Sequence, residues 1–385
     1  MMRGFIRRRG QSWELRVYLG RDLVSGRKRY STRSMRGPRR DAERLLREMV
    51  AAAEAGVTHR AGATFGELCE TWLAHAKGHL APNTVVETRR ILDRVLLPAL
   101  GGVPLCGLRP EHLDELYVRL LRDGVSADRP LSASSVRRVH GIARRALTVG
   151  VRWGWLTTNP AFVAMPPRTI RRPIRPPRPD DVVALVTAAN AKDPGLGTFL
   201  TVAATTGARR GELCGLRWSD LDTDTGQLDI VRAMIVVAGR CVEAPTKSRQ
   251  CRRVAIDPFT LDALAEHRAR TCERASHAHT VPRPDAFMFS HDPDGTRPWR
   301  PDSVTRAFRR LCTNVRLDNV RFHDLRHYVA TRLLVGGIDL RTVAGRLGHT
   351  KAGTTLNIYA AFVPDADREA ASLMAQLLAT PPTRP

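Results

Sequence analysis

Six residues in the second half of the chain, Arg209, Lys247, His323, Arg326, His349 and Tyr359, are of the types that phosphoryl transfer requires. A scissile phosphodiester is already negative, and its pentacoordinate transition state places more charge on oxygens that need fixed cationic donors. Arginine supplies them best, because its planar fork stays charged and grips two oxygens at once. Lysine is a point charge whose proton can be given away. A tyrosine hydroxyl adds a nucleophile.

His323 and Arg326 stand three apart in the helical run His323-Asp324-Leu325-Arg326-His327. That spacing puts them on one face, where they can share a phosphate. His327 reads as structural. Arg209 follows Thr206-Gly207-Ala208 and precedes Glu212, Leu213, Leu216 and Trp218; this is a loop entering a helix, and helix N-termini attract phosphate. Lys247 lies between the strand-like run Asp229 to Val237 and the run Arg253-Val254-Ala255-Ile256, as the tip of a β-hairpin would. Arg249, Arg252 and Arg253 give that hairpin a second reading, as a binder of backbone phosphate. His349, after Leu347-Gly348, has the alternative of capping or packing a helix end.

The chain has five tyrosines. Tyr328 lies two residues beyond Arg326, about 200° around the same helix, and should point into the core. Tyr18 and Tyr30 alternate within strand-like segments, and Tyr117 sits in the apolar-periodic stretch Leu113, Leu116, Leu120. None of the last three has such a constellation of arginine and histidine near it in sequence, which favours Tyr359.

Five strings in order, Thr206-Gly207-Ala208-Arg209 with Glu212, Thr246-Lys247-Ser248, His323-Asp324-Leu325-Arg326-His327, Leu347-Gly348-His349 and Thr354-Thr355-Leu356-Asn357-Ile358-Tyr359, resemble the tyrosine recombinase family, and within it the phage-type integrases. The ten-residue offset from His349 to Tyr359 also matches that family. The resemblance spans about half the chain and implies site-specific DNA strand exchange: attack by Tyr359 to leave a 3′-phosphotyrosine, Arg209 and Arg326 on the non-bridging oxygens, Lys247 as proton donor to the 5′-oxygen, and His323 and His349 orienting the phosphate and assisting proton transfer with the nucleophile. It implies no cofactor, no metal and no ATP. It also implies a tetramer assembled on double-stranded attachment-site DNA, with a host bending protein and an excision factor as further partners.

Composition leads to the same partner independently. The formal net charge is +24 and the pI about 11.1, an electrostatic footprint for a polyanion that does not by itself separate DNA from RNA or a membrane surface. No apolar run is long enough to span a bilayer and no signal peptide opens the chain, so a cytoplasmic protein of the bacterial nucleoid is expected. Seven cysteines without a Cys-x-x-Cys pair give neither a zinc module nor a disulfide framework, and should be reduced and mostly buried.

The expected fold is multidomain and mainly α with small β-sheets. Residues 1–60 hold Arg7-Arg8-Arg9, two strand-like runs and a helix signalled by Leu45, Met49 and Ala52, a small sheet plus helix resembling the arm-type DNA-binding module of integrases. Residues 61–165 are helical. They open on the capping box Thr64-Phe65-Gly66-Glu67, with breaks at Ala81-Pro82, Pro98, Gly101-Gly102 and Asp123-Gly124. Their last helix sets Arg137, Arg138, Arg144 and Arg145 against the stripe Val136, Val139, Ala143, Ala146, Leu147, resembling the family's core-binding half-clamp. Residues 166–179 contain six prolines and five arginines and form a linker, in which Arg171 and Arg172 can neutralise phosphates. Residues 180–385 are the mixed, mainly helical catalytic domain, ending in a helix over Asp365 to Leu378.

Other classes compete with this reading. A type IB topoisomerase shares the chemistry but fits Leu347-Gly348-His349 and the N-terminal module less well. A chromosome-dimer resolvase is closer kin and usually lacks the basic module before residue 60. An architectural DNA-binding protein would need none of the six residues.

Overall fold

The protein's structure, a computed structural model, describes residues 4–21, 26, 28–54, 62–125, 129–170, 176–246, 251–317, 319–348, 371, 372 and 375. The chain divides into two compact units, residues 1–170 and 171–385.

The first unit opens with an antiparallel sheet in the order β1 (Gly4–Arg9), β2 (Ser12–Arg21), β3 (Lys28–Arg36), covered on one face by α1 (Arg39–Glu54). Alternation along β2 turns Leu15 and Val17 inward against Ala42, Met49 and Ala53 of the helix. The register Trp13↔Met35, Leu15↔Arg33 and Val17↔Ser31 holds until an irregularity between Tyr18 and Arg21.

A separate core lies among α2 (Phe65–Ala76), α3 (Pro82–Ile91), α4 (Leu97–Leu100), α5 (Pro110–Arg122) and α6 (Ala133–Arg152). Thr64 and Glu67 cap α2 reciprocally, with Thr64 N donating to Glu67 Oε2 and Glu67 N to Thr64 Oγ1. The break expected at Pro98 is absent. A π-helical stretch, Leu92–Leu96, joins α3 to α4, and its wider bond from Leu97 N–H to the Leu92 carbonyl makes room for Pro98, which has no N–H to give.

The second unit contains α7 (Pro179–Lys192), α8 (Pro194–Thr206), α9 (Arg210–Cys214), β4 (Leu221–Asp222), β5 (Gln227–Ile230), β6 (Arg232–Val237), β7 (Arg240–Pro245), β8 (Arg252–Ala255), α10 (Pro258–His277), α11 (Pro301–Asn314), α12 (Phe322–Val335) and α13 (Leu340–Leu347). α8 is buried from Leu196 to Ala203 and runs through the core, as a helix apolar all round must. The strand expected over Asp229 to Val237 is two strands. Ile230 pairs with Arg252 in the sheet β4-β5-β8, whereas Arg232 pairs with Pro245 in the hairpin β6-β7, so the chain changes partner at Val231. The hairpin turns at Ala238 (φ 48°) and Gly239 (φ 79°), and the segment that holds Lys247 connects β7 to β8 rather than crowning a hairpin.

Three cysteines are buried (Cys69, Cys214, Cys312), Cys241 is intermediate and Cys106, Cys251 and Cys272 are exposed; all seven are free thiols, so the expectation that most are buried does not hold. Cys272 is off the inward stripe Leu264, His267, Thr271, Ala275 of α10, a position its own hydropathy does not report. Of the tail, Ala371, Ser372 and Ala375 are described and helical, and the rest of the helix expected over Asp365 to Leu378 lies outside the described residues. Among the described residues no helix is long and apolar enough to cross a membrane.

Candidate active site

Two helix C-termini build the site. α8 ends at Gly207 (φ 64°) and α13 at Gly348 (φ 67°), both in the left-handed conformation that glycine adopts without steric cost. The carbonyls of a last helical turn have no intrahelical partner. Here arginines take them. Arg326 donates through Nη1 to the Gly207 carbonyl at 2.8 Å and through Nη2 to the Leu347 carbonyl at 2.5 Å. Arg209 donates through Nη2 to the Gly348 carbonyl at 3.1 Å, and Arg252 through Nε to the Arg346 carbonyl at 2.9 Å. Three successive carbonyls at the negative end of the α13 dipole therefore hold three different guanidinium groups.

One carboxylate ties two of these cations together. Glu212, buried on α9, accepts from Arg209 Nη1 at 2.6 Å and from Arg252 Nη2 at 2.6 Å, and also from the Arg209 backbone N–H at 2.9 Å. Burial opposes its ionisation, but the hydrogen bond and charge of Arg252, with help from Arg209, outweigh this and hold its carboxyl below the usual range. Three arginines against one carboxylate leave the cluster with an excess of positive charge. Because α9 has only five residues, these side chains rather than a helix dipole carry the attraction for an anion.

The cluster opens on a cavity of about 280 Å³ lined by Ala208, Arg209, Arg210, Gly211, Phe322, His323 and Arg326. His323 and Arg326 reach it from the first turns of α12, whose N-terminus Asp324 fixes by accepting from Arg321 N at 2.8 Å. Burial, and next the charge of Arg209, push the Arg326 guanidinium down to about 9, which leaves it charged at neutral pH and favoured by any incoming anion. The His323 ring reaches solvent at the cavity mouth, yet the protein packed around it, followed by His327 and Arg326, pushes it down to about 4, so it is neutral. His327 is buried with its ring 4.9 Å from that of His323. An arrangement of this kind can hold a tetrahedral phosphorus centre between fixed cations.

Of the six residues that the sequence suggests for phosphoryl transfer, Arg209, His323 and Arg326 are brought together. Lys247, His349 and Tyr359 lie outside the described residues. Tyr328 packs on the two cores of its unit and does not line the cavity. Tyr117 is buried, with its hydroxyl 2.8 Å from His140 Nδ1.

Sequence reasoning missed Arg252 as part of the cluster. The signal was alternation: in Arg252-Arg253-Val254-Ala255, residues 252 and 254 share a face, opposite Ile230 and Leu228, which are fully buried.

The other basic residues divide by face. Arg7 and Arg9 share the open face of the first sheet with Arg16, Tyr18 and Tyr30, where the Arg16 guanidinium sits 3.9 Å from the Tyr30 ring centre. Arg8 pairs with Trp13 on the helix-covered face and lies 5.8 Å from its ring. Arg137, Arg138, Arg144 and Arg145 are all exposed along α6, Arg138 being paired with Glu87 at 3.1 Å. Arg171 and Arg172 lie outside the described residues.

The fold is mainly helical with small sheets, and its cavity gathers arginines that could hold a phosphate. Residues 178–364 match the model of the phage integrase family, and residues 64–121 that of the phage integrase N-terminal SAM-like domain, together well over half of the chain. The chain is 27% identical over 340 residues to the prophage phiRv2 integrase of Mycobacterium tuberculosis, covering 88% of this chain and 84% of that one. It is 24% identical over 371 residues to the ICEBs1 integrase of Bacillus subtilis, covering 95% and 97%. Its fold is similar to the Tn1549 transposon integrase solved with transposon right end DNA (TM-score 0.67, 19% identity, 81% of this chain and 99% of that one). The chain belongs to the phage integrase family of tyrosine recombinases.

Proposed function

We propose that this chain is a site-specific DNA recombinase that integrates a phage or other mobile element into a bacterial chromosome, with Tyr359 as its nucleophile. The observation that carries the reading is the cavity in which Arg209, Arg326 and His323 converge over the ends of α8 and α13. Gly348, eleven residues before Tyr359 in sequence, accepts from Arg209 of that cavity.

In the proposed reaction the Tyr359 hydroxyl oxygen bonds to the scissile phosphorus as the bond from phosphorus to the 5′-oxygen breaks. Arg209 and Arg326 hold the non-bridging oxygens, and Lys247 gives its proton to the departing 5′-oxygen. His323, neutral at physiological pH, accepts or relays the tyrosine proton, and His349 assists in orienting the phosphate. The phosphotyrosine conserves the diester's energy, so rejoining needs no nucleotide. Strand exchange on two duplexes requires four such protomers. Arg252 acts through Glu212 as a positioning residue for Arg209.

The open face of the first sheet and the basic face of α6 are the proposed DNA contacts, on arm-type and core-type sites respectively. The sheet before residue 54 supports an integrase over a chromosome-dimer resolvase. A host bending protein and an excision factor are proposed partners.

Tyr359→Phe removes only the attacking oxygen. Binding to a core site should persist while covalent capture on a nicked suicide substrate disappears, and Tyr328→Phe should still trap. A denaturant-resistant adduct formed by Tyr359→Phe would refute the assignment.

A further inference from the structure

The opposite end of α8 borders a second cavity, of about 310 Å³, lined by Asp193, His267, Arg270, Arg274, His291 and Trp299 among others. Two of its walls are buried polar side chains with no hydrogen-bond partner at one atom. Trp299, 7% exposed, has an unpartnered indole N–H, and His267, 4% exposed, an unpartnered Nδ1. The His267 tautomer follows from its other nitrogen. Nε2 lies 2.8 Å from the Met288 carbonyl, which can only accept, so Nε2 carries the proton and Nδ1 presents a lone pair. Burial holds this imidazole below its ordinary range, and it stays neutral. The residues that line the cavity thus include one buried donor and one buried acceptor without partners.

Two guanidinium groups on α10 complete it, and both are loosely held. Arg270 makes contacts of 3.4 Å to Glu266 and 3.3 Å to Thr198 Oγ1, and Arg274 one of 3.4 Å to the Ser290 carbonyl. These are long for charge-assisted bonds, so both cations have capacity for a better acceptor. Asp193 is already engaged by the N–H groups of Gly195 and Leu196. A ligand here has to accept from cations and an indole while donating to an imidazole.

We propose that this cavity binds a proton-bearing oxyanion of the hydrogen phosphate type, its charged oxygens accepting from Arg270, Arg274 and Trp299 and its O–H donating to His267 Nδ1. A phosphodiester or sulfate has the charge but no proton to donate, and would leave the buried Nδ1 unsatisfied. That loss corresponds to about tenfold or more in affinity.

The test labels the full-length protein with 5-fluorotryptophan, identifies Trp299 by the signal lost in Trp299→Phe, and titrates inorganic phosphate, sulfate or duplex DNA without attachment sites at pH 7.5. Phosphate should shift the signal saturably, at least about tenfold more tightly than sulfate. Phe199 contacts both Trp299 and Phe322, the latter on the catalytic cavity, so a shift could also be relayed from there. The exposed Arg274 separates the two, and Arg274→Ala should abolish the shift. A shift that persists in Arg274→Ala, that sulfate or DNA reproduces at equal concentration, or that never saturates would overturn the proposal.

Discussion

Glu212 and Arg252 show how far a single buried carboxylate reaches. Each is almost fully enclosed, with side-chain exposures of 1% and 7%, and the pair closes at 2.6 Å. Removing Glu212 would strand Arg252, a loss of about 3–5 kcal/mol for a buried pair, whereas removing Arg252 leaves Glu212 its bond to Arg209 at 2.6 Å. Arg252→Met should therefore lower the urea midpoint by less than that equivalent, and slow covalent trapping, because Glu212 loses the Arg252 contact that fixes its position beneath Arg209. Combining it with Glu212→Gln should cost markedly less than the sum of the two single changes; additive losses would show that the two do not act as a pair. The histidines make a second prediction. His323 is held near 4 against an ordinary 6.5, so between those values the unfolded chain binds a proton that the folded chain refuses. Its contribution to stability is complete above pH 6.5 and is lost as the pH falls toward 4. His140, His267 and His327 are depressed in the same direction. Urea midpoints taken from pH 7 to 4.5 should fall, and His323→Gln should flatten part of that slope.

At the scale of elements, the junction of α8 with α13 is tightly constrained. A Cβ on Gly207 would lie 2.4 Å from Leu347 Cδ2 and 3.3 Å from Val329 Cβ, on a backbone already at positive φ. Gly239, also at positive φ, has nothing within 4 Å. Gly207→Ala should cost about 2–4 kcal/mol, from left-handed strain plus overpacking, and should slow cleavage because the Gly207 carbonyl seats Arg326. Gly239→Ala should show the strain alone, with cleavage unchanged; equal effects of the two on cleavage would deny the junction its positioning role. Sequence made the helical end of this arrangement legible, because the three-residue spacing of His323 and Arg326 is a local pattern, as the Thr64 capping box is in the first unit. The carbonyl partners were not legible, since Arg326 reaches back 119 residues to Gly207 and Arg209 forward 139 to Gly348. The division of the 229–237 run between two sheets was hidden for the same reason, because a strand's partner is not written in its own alternation.

On the scale of the whole molecule, a net charge of +24 guarantees affinity for any polyanion and specifies none. Placement has to supply the specificity. Arg7, Arg9 and Arg16 stand together on the open sheet face, in the first unit of the chain, while Arg209 and Arg326 belong to the second. Replacing all three by Ala leaves every residue of the second unit untouched, so trapping on a core-site suicide substrate should keep its rate. Binding to an arm-type site should weaken, and the slope of log affinity against log salt should become shallower by up to about 3, roughly one released counterion per lost phosphate contact. Arg8→Ala, on the helix-covered face, should change that slope little. Integration between full attachment sites should fall with arm binding, because the sheet would recruit the enzyme without taking part in the chemistry. If the triple variant instead loses core-site trapping while its arm-site slope stays constant, the sheet serves the catalytic step and the arm-binding assignment is wrong.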